Sequence, residues 1–171
     1  MRNTIKILSF ALLILAQSCT STEQNTTQTA VDSTSLNEQE RVANRGGTYS
    51  FGTNIEKEAV GTIKIYPLTS DTALFFLDVN RGAPSYNMGQ LYGKMSIKDN
   101  IGSYPPAIAD QSTECVLQFT FEEGAVKVTT MGVGDCGFGA NVKADQTYKL
   151  SDATIPKFYI SGEGDTVLFK R

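Results

Sequence analysis

Residues 91–98 read Leu-Tyr-Gly-Lys-Met-Ser-Ile-Lys, and residues 115–122 read Cys-Val-Leu-Gln-Phe-Thr-Phe-Glu. In both, one parity is apolar or glycine while the other is mostly polar. That alternation fits a strand with one buried face and excludes an amphipathic helix, whose apolar residues recur at a spacing of about 3.6. It turns Leu91, Met95 and Ile97, then Cys115, Leu117, Phe119 and Phe121, toward a core. Glu123-Gly124 reads as a turn, and Ala125 to Thr130 returns with Val126 and Val128 inward, so the second segment is half of a hairpin.

Runs at 47–51, 62–66, 148–150, 158–160 and 167–169 add shorter strands, with Ile63 and Ile65 sharing one face. Residues 73–79, Ala-Leu-Phe-Phe-Leu-Asp-Val, are apolar nearly throughout, the pattern of a strand buried on both faces. Turn signals recur about every 8–12 residues, which is the spacing of a sandwich or barrel and not of alternating strands and helices. The expectation is an all-β domain of roughly eight to nine antiparallel strands. It is a meander closed into a small β-barrel, or a flattened barrel or sandwich.

The N-terminal part is of another kind. Arg2 and Lys6 precede an apolar run from Ile7 to Ala16, and Gln17-Ser18 lead to Cys19. A positive start, a short apolar segment and small residues before a cut make a secretory signal peptide over 1–18. The run is too short to span a bilayer, which needs about 20 residues. Leu15-Ala16-Gln17-Ser18-Cys19 resembles the bacterial lipobox, whose cysteine takes a diacylglycerol and becomes the mature N-terminus. Ala16 departs from that pattern, since Leu or Val usually stands three residues before the cysteine. The resemblance implies lipidation of Cys19; an ordinary cleavage near Ser18 is the alternative. From Thr20 to about Asn44 the chain is Ser, Thr, Gln, Asn and Glu with isolated apolar residues, a composition too poor in apolar surface to offset the entropy of ordering. It reads as a disordered tether with a mean reach of about 30 Å, interrupted at most by a short helix over 36–42. The expected organisation is therefore 1–18 signal, 19–45 lipidated cysteine and linker, and 46–171 domain.

Composition narrows the chemistry. A net charge of −3 offers no basic footprint for nucleic acid. With no histidine, the chain lacks the commonest general base and metal ligand. The three cysteines leave Cys115 and Cys136 as a pair once Cys19 is assigned to the lipid, and outside the cytoplasm that pair is expected as a disulfide. A metal thiolate pair would need further soft ligands, and none is at hand. Asp110, Asp135, Asp145 and Asp165 are scattered and form no calcium-loop pattern. Glu122-Glu123 are adjacent on a strand and point to opposite faces, unlike a glycosidase pair. Neither a metal nor a cofactor is expected.

Two loops remain. Gly82 to Gly89 mixes Tyr, Asn and Ser with glycine, the adaptable chemistry of binding loops. There Arg81, Tyr86 and Asn87 are candidate binding residues. Gly132 to Gly139 carries Cys136, and its Phe138 is a further candidate. The glycines there supply either close approach beside a disulfide or a nest of backbone amides for an anion.

Gly89-Gln90-Leu91-Tyr92-Gly93, Cys115, Cys136-Gly137-Phe138-Gly139, Val142 and Asp145-Gln146-Thr147-Tyr148 together resemble a pattern shared by uncharacterised secreted and lipid-anchored bacterial proteins. Gln146 stands where that pattern usually has Gly. The resemblance implies a fold and no activity. A fainter likeness, in size, anchor and disulfide-closed β architecture, is to periplasmic lysozyme inhibitors, whose Ser-Gly-x-x-Tyr loop is absent here. The functional expectation is a non-enzymatic lipoprotein of the bacterial cell envelope, attached to the membrane through its N-terminal lipid. It would bind a protein or glycan, in a lysozyme-inhibitor-like manner if that likeness extends to function. The alternatives are a structural envelope protein without a specific ligand and a hydrolase using carboxylates alone.

Overall fold

The computed structural model describes Glu40 and residues 45–105, 115–132, 134 and 136–170. The signal segment, Cys19, Asp110, Asp135 and all of the tether but Glu40 and Arg45 lie outside the described residues.

Ten strands follow one another: β1 (Gly47–Phe51), β2 (Val60–Pro67), β3 (Thr72–Asn80), β4 (Met88–Lys98), β5 (Ile101–Tyr104), β6 (Leu117–Glu122), β7 (Ala125–Thr130), β8 (Thr147–Asp152), β9 (Phe158–Ile160) and β10 (Thr166–Leu168). The first eight form a closed barrel in sequence order, each antiparallel to the next, with β8 returning to β1. The expected meander closed into a barrel is what forms. The segments read at 158–160 and 167–169 are strands, but they make a separate two-stranded sheet outside the barrel.

The alternation read from the sequence sets the inner face. Met95, Ile97, Leu117, Phe119, Val126 and Val128 are buried together with Ile63, Ile65, Phe75 and Leu77, and Leu91, Cys115 and Phe121 pack against them. Each fully buried side chain of this size contributes about 1.5–3 kcal/mol. Small inward residues let large ones cross the lumen. A Cβ on Gly93 would stand 2.5 Å from the Tyr104 ring and 2.9 Å from that of Phe75. The lumen of this eight-stranded barrel is occupied by those inward side chains, and the depressions described below lie at its loop end and on its outer wall.

Strand β3 is buried on both faces. Ala73, Phe75, Leu77 and Val79 face the lumen, while Leu74 and Phe76 point out and are covered by Tyr159 and Phe169. The Phe76 and Tyr159 rings stack at 4.1 Å, and Tyr66 stacks on Phe169 at 5.6 Å. The small β9–β10 sheet is thus a lid on the outside of the barrel wall.

Strand β5 is not among the strands read from sequence. It is joined to β4 by Asp99 and Asn100, both left-handed (φ 48° and 65°), with Lys98 opposite Ile101. That is the geometry of a two-residue type I′ hairpin turn. The turn is built from Asp-Asn instead of the usual Asn-Gly or Asp-Gly, and one of its two inward residues, Gly102, has no apolar side chain to signal a buried face.

In a meander, successive connections alternate between the two ends. Segments 68–71, 99–100 and 123–124 gather at one end, where the chain also enters at Arg45 and Gly46. Arg45 closes that end. It is 7% exposed, and it donates to the Ser70 carbonyl (2.8 Å) and to Asn100 Oδ1 (2.7 Å) while its guanidinium covers the Phe121 ring. Segments 52–59 and 81–87 and the described part of 131–146 gather at the opposite end.

Candidate functional site

The four candidate binding residues all belong to this second, loop-bearing end. Segment 52–59 is a tight turn held by Glu58, whose Oε1 accepts the amides of Thr53 (2.8 Å) and Asn54 (3.3 Å). Those amide bonds hold the exposed Glu58 carboxyl below its usual range. Segment 81–87 is pressed onto it. A Cβ on Gly82 (φ 80°) would stand 2.3 Å from the Glu58 carbonyl oxygen, so only glycine fits there. The Ala83 amide donates to the Ile55 carbonyl (2.9 Å).

Tyr86 crowns this pair of loops. Its φ is 52°, its ring is 39% exposed, and its hydroxyl donates to Glu56. Its carbonyl accepts from Asn80 Nδ2 (3.1 Å), whose Oδ1 in turn accepts the Gly82 amide (2.8 Å). The hydrogen bond to the Glu56 carboxylate raises the pKa of the Tyr86 phenol. A bulky residue in the left-handed region is a strained position, sustained because its surroundings fix it. Arg81 is exposed, with Nη1 3.3 Å from Ser85 Oγ and its amide bonded to the Asn87 carbonyl (2.8 Å).

Asn87 joins this unit to the third loop. Its Nδ2 donates to the Ala140 carbonyl (2.8 Å), and beside it the Gly139 amide donates to the Met88 carbonyl (2.9 Å). Phe138 is 7% exposed and belongs to the core. A Cβ on Gly89 would lie 2.4 Å from its ring, so the absence of a side chain at 89 seats Phe138 in the barrel mouth. Cys136 (φ 60°) is bonded to Cys115, which ties the loop to the chain just before β6. At its base, the Asp145 carboxylate accepts both the amide (2.9 Å) and the hydroxyl (2.6 Å) of Thr130. Tyr148, fully buried, donates to the Ala144 carbonyl (3.1 Å) and sets its ring edge-on to Phe51; burial raises its pKa. Gly89, Cys115, Cys136 and Phe138, read above as scattered positions of one pattern, therefore meet in two contacts, the disulfide and the seat of the Phe138 ring, that hold the described part of the 131–146 loop to the barrel, while Val142 and Tyr148 belong to the same core.

Two depressions flank these loops. One, of about 470 Å³, lies against the 131–146 loop and is lined by Thr130, Cys136, Phe138, Asn141, Lys143 and Asp145 among others. The other, of about 410 Å³, lies where segment 52–59 leaves the barrel and is lined by Phe51, Ile55, Thr62, Asp78, Asn80 and Met88 among others. Asp78 is a carboxyl in mainly apolar surroundings. Desolvation raises its pKa, and a hydrogen bond from Gln90 partly offsets that. Sequence reasoning passed over Asp78, although an Asp on the outward parity of an otherwise apolar strand was its signal. Glu56 left no local signature because it acts on Tyr86, thirty residues away; Asp145 was visible as part of the resemblance pattern, but its partner Thr130 was not.

Among the described residues no group of three or more Asp, Glu, Cys or His is arranged to hold a metal ion. Comparison with protein-family models, curated proteins and solved structures finds no match for this chain.

Proposed function

We propose that this protein is a non-enzymatic, lipid-anchored binding module of the bacterial cell envelope, presenting the loop end of its barrel to a protein or glycan. One observation carries the reading: the exposed Arg81 and Tyr86, with Asn87 beside them, are held by fixed loops at the end opposite to where the chain enters. Preorganised loops lower the entropic cost of binding. Arginine and tyrosine are the residue types that most often dominate binding energy. A lipid on Cys19 and a tether reaching about 30 Å would bring the chain in from the membrane side and leave these loops facing outward. The resemblance of residues 89–148 to secreted and lipid-anchored bacterial proteins supports the same location. In this reading Phe138 acts from beneath, holding the 131–146 loop in place.

The test is capture by the purified protein from envelope extract and from lysozyme-containing secretions, read by mass spectrometry, beside an Arg81→Ala/Tyr86→Ala variant of unchanged circular dichroism and Tm. A single saturable partner lost in the variant is the expected result. Equal capture by both proteins, or none, overturns the reading in favour of a structural envelope role.

A further inference from the structure

Among the described residues, two parts are apolar on both faces of a strand. In β3 both faces are covered, one by the lumen and the other by the β9–β10 sheet. That sheet is itself apolar on both sides and is covered on one. Tyr159, Val167 and Phe169 pack inward, while Phe158, Ile160 and Leu168 are 46%, 44% and 56% exposed. Phe158 stands opposite Leu168, and Ile160 opposite Thr166, so the outer face of the sheet carries no charge. An exposed apolar face of this kind marks a contact surface.

Its border indicates what it meets. Lys64 Nζ lies 5.4 Å from the centre of the Phe158 ring and 3.3 Å from its carbonyl oxygen. Lys157 and Lys170, both exposed, flank Phe158 and Leu168 in sequence. The acidic residues of the hairpin, Glu163 and Asp165, are in its turn at the far end. A groove of about 330 Å³ lined by Lys64, Ile155, Lys157 and Phe158 runs beside this face, and Ile155 packs over Gly46, where the chain enters the barrel. Asp152 also lines the groove, with its carboxylate turned to the Thr154 amide (2.8 Å). An aromatic and two aliphatic side chains rimmed by lysines match a lipid interface, with rings and branches at the acyl boundary and ammonium groups among phosphates.

We propose that the outer face of the β9–β10 sheet (Phe158, Ile160 and Leu168, rimmed by Lys64, Lys157 and Lys170) rests on an anionic lipid surface. The proposal rests on the lipid-anchored reading, because so small a face holds the membrane only when a tether keeps it at high local concentration. Resting there, the sheet fixes the tilt of the barrel and leaves the loop end accessible.

The chain contains no tryptophan, so one introduced tryptophan reports its position without background. The full chain is reconstituted into vesicles with brominated acyl chains, either of phosphatidylcholine alone or with phosphatidylglycerol. It carries Leu168→Trp or, at the loop end, Met131→Trp. The expected result is a blue-shifted, quenched emission from Leu168→Trp in the anionic vesicles, with Met131→Trp unchanged. Replacing Lys157 and Lys170 by Gln should weaken that association about fivefold per lysine. Quenching that ignores lipid charge, or that is no greater at 168 than at 131, overturns the proposal. A blue shift that grows with protein concentration without lipid gives the face to a second copy and also overturns it. The mass of the N-terminal fragment reports acylation of Cys19 separately. If Cys19 is bare, the anchored reading fails on its own, and the face is then judged by the same two tryptophans at saturating vesicle concentration.

Discussion

At the end where the chain enters the barrel, the connections are the short turns 68–71, 99–100 and 123–124, and Arg45 draws two of them together. At the other end, the longer connections 52–59 and 81–87 and the described part of 131–146 are held by a disulfide, a carboxylate clamp and one buried ring. The backbone differs in the same sense. The left-handed residues other than glycine at the short-turn end are Asp99 and Asn100, types that tolerate αL in a turn that requires it. At the loop end they include Tyr86 and Cys136, which adopt it against their preference. Local chemistry suffices at one end, while tertiary contacts impose the backbone at the other.

Cutting the covalent tie should separate the ends most sharply. Replacing both Cys115 and Cys136 by Ser is expected to cost about 3 kcal/mol, near 10 °C in Tm. The loss of amide protection should be concentrated in 131–146 and leave 99–100 and 123–124 unaffected. Hydrogen exchange resolved by segment checks this. Equal loss at both ends would mean that the loop end is not a separate unit. Arg45→Ala is the mirror experiment. It removes two charge-assisted hydrogen bonds and the cover over Phe121, with an expected cost of about 2 kcal/mol in denaturant unfolding. Exchange should rise at 68–71 and 99–100 and not at 81–87. A smaller step is Asp145→Ala, which frees the amide and hydroxyl of Thr130 at an exposed position. About 1 kcal/mol is expected, with faster exchange at the base of the 131–146 loop and no change at Arg45.

The same contrast explains what could be read from the sequence. Strand parity was legible in β4, β6 and β7, where apolar and polar residues alternate along the strand, and not in β5, where inward Gly102 carries no side chain. Leu117, Phe119, Val126 and Val128 face inward as the alternation requires, and the apolar run at 73–79 is covered on both sides. The pairing of Cys115 with Cys136 followed from counting. The meander was legible from the turns, except at Asp99-Asn100, where a less common residue pair hides a hairpin. At the loop end, individual residues were visible but not their partners. Nothing near Tyr86 in sequence announces Glu56, nothing near Phe138 announces Gly89, and nothing near Thr130 announces Asp145. Those contacts exist only once the barrel has closed and brought these three connections to one rim. The second role of the β9–β10 sheet, as a cover for Leu74 and Phe76, was invisible for the same reason.

The smallest expected effect bears on the cleft beneath segment 52–59. Asp78 is half-buried, and desolvation raises its pKa above the ordinary 3.8. An acid with a raised folded pKa holds its proton more tightly in the folded state than in the unfolded state. Its contribution is therefore most favourable below pH 3.8 and declines as pH rises through the folded value, leaving a constant penalty at neutral pH. Asp78→Asn keeps the shape and a hydrogen bond to Gln90 and removes that penalty. Discounted for the water that reaches the cleft, the gain at pH 7 is at most about 0.5 kcal/mol, near 2 °C in Tm. It should shrink to nothing as the pH approaches 3, where the wild-type carboxyl is neutral as well. Thermal unfolding of both proteins from pH 3 to pH 8 checks the sign. A variant less stable than wild type at pH 7 would show that the charged form of Asp78 is the favoured one in the folded protein.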